Sequence, residues 1–128
     1  MKLEHVAINV ADPKAMADWY VKNLDMQVVR SVDQPPYMTF LADKNGESMI
    51  EIYHNTDAGV PDYSQIHAQN LHFAFSVEDM EGTRQRLIEA GATPEGEVTP
   101  TPAGDQLAFL RDPWNVTVQL VKRQTPML

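Results

Sequence analysis

The sequence predicts an α+β fold built from two tandem βαβββ modules, and three observations carry this. "LEHVAINVAD" (Leu3 to Asp12) lies over "NLHFAFSVED" (Asn70 to Asp79), with His5 on His72, Ala7 on Ala74, Val10 on Val77 and Asp12 on Asp79, each 67 residues apart. "MIEI" (Met49 to Ile52) falls on "TVQL" (Thr117 to Leu120), which sets Glu51 on Gln119 at a spacing of 68. Each copy then reads strand, helix and three strands, an order that lays a helix on one side of a curved sheet. The boundaries are a single domain over 1–128, with module 1 over 1–55, a linker over 56–69 and module 2 over 70–123.

The elements follow in order. Val6 to Val10 alternates as a strand, and Asp12-Pro13 starts a helix, with an acid at the N-cap and proline at the first helical position. Met16, Trp19 and Tyr20 give that helix an apolar stripe as far as Asn23. Strands are predicted over Met26 to Val32, Tyr37 to Ala42 and Ser48 to His54, with Pro35-Pro36 dividing the first two and Asn45-Gly46 turning between the last two. The Gly-, Pro- and Asp-containing stretch after Asn55 has no periodicity and reads as linker. The second module repeats the order. It has strand Leu71 to Val77, a helix from Asp79 to Ala90 stopped by Gly91, then strands Thr93 to Val98, Gln106 to Arg111 and Val116 to Lys122. The breaker-rich loop "TPTPAGD" and the turn "DPWN" separate the last three.

Composition narrows the function. The chain is 43% apolar and 22% charged, as expected of an ordinary globular domain, and carries a net charge of −8. That balance argues against nucleic acid or an anionic membrane surface as partner, since both attract basic patches. No apolar run reaches the roughly 18 to 20 residues of a membrane span. The N-terminus lacks a signal-peptide h-region, so the expected location is the cytoplasm. With no cysteine, thiol chemistry and thiolate metal sites are excluded.

Strand parity then singles out four residues. Side chains alternate between the two faces of a strand. Val6, Ile8 and Val10 oppose His5, Ala7 and Asn9; Leu71, Phe73, Phe75 and Val77 oppose His72, Ala74 and Ser76. Ile50 and Ile52 oppose Glu51 and Tyr53, while Val116, Val118 and Leu120 oppose Thr117 and Gln119. His5, Glu51, His72 and Gln119 therefore occupy the more polar face at matched places in the repeat. Two imidazoles, a carboxylate and an amide oxygen suit a divalent ion such as Ni, Zn, Co, Fe or Mn. Ligation would also account for a glutamate inside an otherwise apolar strand. Asn9 on the same face is a candidate for a substrate hydrogen bond, with Tyr53 and Trp114 as further candidates. His54 points with the apolar face and reads as structural.

The segments "LEHVAINVADPKAMADWYVKNLDMQVV" and "DPWNVTVQLV" resemble the opening and closing motifs of the vicinal oxygen chelate superfamily, which includes glyoxalase I, bleomycin-resistance proteins and extradiol dioxygenases. Asp25 and Asn115 stand where that family usually has glycine. The resemblance implies that the modules form a half-open cup, helices outside, around a divalent ion. Its ligands would be His5, Glu51, His72 and Gln119, and the protein a homodimer acting on a small molecule. The pattern His, Glu, His is most similar to bacterial glyoxalase I, in which the fourth residue is normally glutamate; Asn55 would then correspond to a substrate-contacting asparagine. The implied function is a metal-dependent lyase or isomerase with Glu51 and Gln119 as the catalytic positions, acting on vicinal oxygens through an enolate-type intermediate. The alternatives are a non-catalytic small-molecule binding protein of the bleomycin-resistance kind and, less favoured, an extradiol dioxygenase-like enzyme, whose carboxylate ligand comes from the position of Gln119.

Overall fold

The computed structural model describes residues 1–127. The chain divides into two units, one spanning Met1–Pro61 and one beginning at Asp62. The first contains β1 (His5–Asn9), α1 (Pro13–Asn23), β2 (Gln27–Ser31), β3 (Thr39–Ala42) and β4 (Met49–Tyr53). The second contains β5 (Phe73–Ser76), α2 (Met80–Glu89), β6 (Thr93–Pro100), β7 (Gln106–Arg111) and β8 (Thr117–Lys122), preceded by a short helical turn at Tyr63–Gln65. Each unit is thus a βαβββ module with its own open four-stranded sheet. The strand orders are β1-β4-β3-β2 and β5-β8-β7-β6. In both sheets the module's first and last strands pair in parallel and the remaining pairs are antiparallel.

The helices start and stop where side chains satisfy their free backbone groups. Asp12 Oδ1 accepts from the Ala15 amide at 3.0 Å, and Asp79 Oδ1 accepts from that of Gly82 at 3.0 Å. Gly91, at φ +107°, ends α2 while its amide reaches Ile88 O at 3.1 Å. Asp25 and Asn115, the two residues standing where the family has glycine, take left-handed φ values of 55° and 67°. Asp and Asn tolerate that region, so the turns form without glycine.

Helix α1 packs on β2, β3 and β4 and buries Met16 and Tyr20; α2 packs on β7 and β8 and buries Leu87. Beneath them lie Ile8, Leu41, Ile50 and Ile52 in the first unit, and Leu110, Val116, Val118 and Leu120 in the second. Each such aliphatic side chain contributes about 1.5 to 3 kcal/mol by leaving water. The expected apolar faces are covered unevenly, because β1, β2, β5 and β6 are sheet edges. Val6 stays 44% exposed, β2 is exposed throughout, and Phe73 and Phe75 are half-buried.

Several stretches differ from expectation, among them the strand expected over Leu71 to Val77, which runs only over Phe73–Ser76 and leaves His72 just ahead of it. β6 continues to Pro100, past the expected end at Val98, by shifting register between Glu95 and Thr99. Tyr37, expected in a strand, sits in a turn at φ 58°, and β3 begins at Thr39. Within the stretch expected as linker, Tyr63 is buried and its carbonyl accepts from Arg111 Nη1 at 2.9 Å.

Candidate functional site

Each sheet builds the same half-site from its own strands. In the first, register sets Ala7, Glu51, Phe40 and Arg30 side by side across β1, β4, β3 and β2. Directly opposed residues share a face, so His5, two residues before Ala7, joins them. The second sheet sets Ala74, Gln119, Phe109 and Glu95 side by side, with His72 on the same face. Alanine beside Glu51 and beside Gln119 leaves room over both polar side chains.

A phenylalanine holds each histidine. The His5 ring meets Phe40 edge-on at 5.2 Å and 86°; the His72 ring meets Phe109 at 5.6 Å and 82°. Aromatic pairs of this kind add about 0.5 to 1.5 kcal/mol beyond burial, enough to favour one ring orientation. A hydrogen bond at Nδ1 completes the positioning. His72 Nδ1 lies 2.8 Å from Ala68 O, which can only accept, so Nδ1 is the donor in that bond and Nε2 is not used by it. His5 Nδ1 lies 2.9 Å from Glu4 Oε1, and its Nε2 lies 3.2 Å from Glu51 Oε2.

This arrangement fits a cation. Neutral imidazole has one N–H, yet His5 lies between two carboxylates that can only accept. A metal ion placed between Nε2 and Glu51 would be accepted by both groups. Histidines that ligate metals typically donate their other N–H to a carboxylate or carbonyl, as the Nδ1 contacts here allow. Glu51 keeps only 14% of its side chain exposed. In the second half-site, Thr117 is 2% exposed and its hydroxyl has no partner among the described residues. Gln119 is 9% exposed, and its amide makes no hydrogen bond among them. An orphaned buried hydroxyl such as that of Thr117 is suited to an additional ligand. Among the described residues, no group of three or more His, Cys, Asp or Glu forms a metal cluster. His5 and Glu51 form one close pair, while His72 and Gln119 each border Phe109 in the second sheet.

The other expected site residues separate. Asn9 is 7% exposed, and its amide is spent on the chain itself. Nδ2 donates to Asn55 O at 2.8 Å and to Gly59 O at 2.7 Å, while Oδ1 accepts from the Asn55 amide at 2.7 Å. The substrate contact expected of Asn9 gives way to anchoring the segment after β4. Asn55 is exposed, and its side-chain oxygen accepts from the Asp57 amide at 2.9 Å. Tyr53 is half-buried on the Glu51 face, opposite Asn9. Trp114 is half-buried in the turn after β7, which Asp112 Oδ1 braces through the amides of Trp114 and Val116, both at 2.9 Å. His54 is structural, its Nδ1 lying 2.8 Å from Val10 O. Sequence reading missed Glu4, Phe40 and Phe109. The phenylalanines stand 69 residues apart, close to the repeat spacing, and that signal could have found them.

Among the described residues no helix is long and apolar enough to cross a membrane. A family model described as the Glyoxalase/Bleomycin resistance protein/Dioxygenase superfamily matches residues 2–120. The chain is 28% identical to a lactoylglutathione lyase from Escherichia coli O157:H7 over 97% of its own length and 94% of that protein's. It is 32% identical to an ethylmalonyl-CoA/methylmalonyl-CoA epimerase from Cereibacter sphaeroides, over 77% and 78% of the two chains. Among solved structures, a glyoxalase family protein from Bacillus cereus superposes with a TM-score of 0.81 at 17% identity, over 95% and 93% of the two chains.

Proposed function

We infer, from the premise that the chain belongs to the Glyoxalase/Bleomycin resistance protein/Dioxygenase superfamily, that it is a metal-dependent lyase or isomerase of the glyoxalase type. The observation that carries this reading is the His5–Glu51 pair, with Nε2 and Oε2 3.2 Å apart, and His72 and Gln119 stand at the repeat-matched positions 67 and 68 residues on. A divalent ion would be ligated by these four residues. When bound, it would polarise two neighbouring substrate oxygens and stabilise the negative charge that develops as a C–H proton leaves.

The chain's own residues divide the remaining work. Glu51 is the only carboxylate among the four, so it is the proton carrier. It takes the proton from one carbon and returns it to the adjacent one, leaving substrate and product isomeric. Gln119 is neutral and contributes a ligand oxygen without competing for that proton. Glu4 and Ala68 orient the two imidazoles. Tyr53, Asn55 and Trp114 are the proposed substrate contacts, and the working form is a homodimer.

Metal analysis of protein purified without chelator, after Ni, Zn, Co and Mn supplementation, tests the reading. Stoichiometric divalent metal, together with turnover of the methylglyoxal–glutathione hemithioacetal or another vicinal-oxygen compound, is expected. Protein that takes up no divalent ion would refute it. Gln119 favours one second reading, a non-catalytic binding protein, since an amide stands where a second carboxylate would serve as base. Bound metal and tight ligand binding without proton exchange into solvent, followed by NMR in D2O, would select that alternative.

A further inference from the structure

We propose that Arg30 and the pocket beside it form a carboxylate-binding subsite, so that the substrate is a small vicinal-oxygen compound with an acidic tail. The proposal rests on the His5–Glu51 reading above and names the substrate class of that site.

Register supplies the placement. Arg30 opposes Phe40, and Phe40 opposes Glu51, so all three side chains leave the same face of the first sheet. A pocket of about 220 Å³ is lined by Arg30, Phe40, Met49, Val29 and Glu4. Its walls continue into the half-site, because Phe40 packs edge-on against His5 and Met49 stands opposite His5 in the β1–β4 register. Glu4, the acidic member of the lining, has one carboxylate oxygen 2.9 Å from His5 Nδ1. Phe40, Val29 and Met49 offer a short apolar surface between metal-binding side chains and guanidinium. From β4 to β2 is two strand spacings, about 10 Å. The Arg30 side chain can shorten that gap, so a substrate with a backbone of about three to five carbons can reach both ends.

The charge on Arg30 is uncommitted, and the second module shows that it need not have been. There Glu95 holds the corresponding place, opposite Phe109. Both of its oxygens accept from Arg111, at 3.0 Å from Nε and 3.0 Å from Nη2. Arg84, Arg86 and Arg123 also have partners. Arg30 makes no hydrogen bond or ion pair among the described residues. In a chain of net charge −8 there is no general attraction for anions, so an acidic substrate requires a local cation. A guanidinium fork matches a carboxylate through two parallel hydrogen bonds.

Three probes test the proposal by titration calorimetry on the full-length protein, metal-loaded and metal-free. They are 2-oxoglutarate (head and acidic tail), 2-oxopentanoate (same head, neutral tail) and glutarate (two acids, no vicinal oxygens). Wild-type protein is expected to bind 2-oxoglutarate about tenfold or more tighter than 2-oxopentanoate, a preference that falls with salt. Arg30→Ala should reduce that preference to within about twofold while leaving 2-oxopentanoate unchanged, and Arg30→Lys should keep part of it. Equal binding of the two oxo acids, or a preference that survives Arg30→Ala, overturns the subsite. If 2-oxopentanoate fails to bind while glutarate binds in an Arg30-dependent way, the subsite stands and the metal reading above falls.

Discussion

The two half-sites share a frame and differ in charge. Each has a histidine at or just ahead of the first strand, packed on a phenylalanine of the third, and a polar residue on the fourth opposite that phenylalanine. In the first module the polar residue is Glu51, and His5 is braced by a second carboxylate, Glu4. In the second it is Gln119, and His72 is braced by a neutral carbonyl. The same backbone thus carries one anionic and one neutral pair. A repeat can keep its geometry while a single amide-for-carboxylate exchange removes half of its acid–base capacity.

Making the modules alike is the strongest way to break that comparison. Glu51→Gln should weaken divalent-metal binding more than about 100-fold, measured by titration calorimetry or metal content, because it removes the only carboxylate among the four proposed ligands. Asn9→Ala should cost about 1 to 2 kcal/mol in chemical denaturation, since it removes the part-buried hydrogen bonds that Asn9 makes to the Asn55 and Gly59 backbone. Ser76, its exposed counterpart in β5, should be replaceable by alanine within about 0.5 kcal/mol. Gln119→Glu, which gives the second module the first one's charge, should tighten metal binding about tenfold and confer or raise hemithioacetal isomerase activity. Glu4→Gln should weaken metal binding by about tenfold or less by removing the carboxylate beside His5.

The smallest effect belongs to Asp105. The Gln124 backbone amide, and then the Arg123 guanidinium, hold its carboxyl below the usual value of 3.8. Folding therefore favours the ionised form. Its stabilisation is complete above the unfolded-state value and lost as pH falls through the lower folded one. Asp105→Asn should lower Tm slightly at pH 7, and the difference from wild type should shrink below about pH 4.

The modules and the faces of their strands could be read from the sequence because alternation with period two depends only on neighbouring residues. His5, Glu51, His72 and Gln119 share the open faces of their sheets for that reason. What sequence reading missed depends on contacts between residues distant in the chain. Asn9 lies on the expected face, but parity says nothing of the Asn55 and Gly59 carbonyls that occupy its amide. Arg30 reads as one more exposed edge residue until its register with Phe40 is known. The extension of β6 arises from a bulge, which shifts pairing without marking the local pattern.

The parallel pairing of each module's first strand with its last has a mechanical consequence. His5 and Glu51 lie near opposite ends of their module's chain, yet they meet on adjacent strands. A cation held by such a pair would act as a removable staple between the two ends of the module, present only while the chain is folded, and would stabilise the folded state by mass action. Supplying or chelating the ion would then tune resistance to unfolding, with the logarithm of its free concentration once the site is mostly filled. The amount of folded protein in a cell would register metal supply even where no substrate is present.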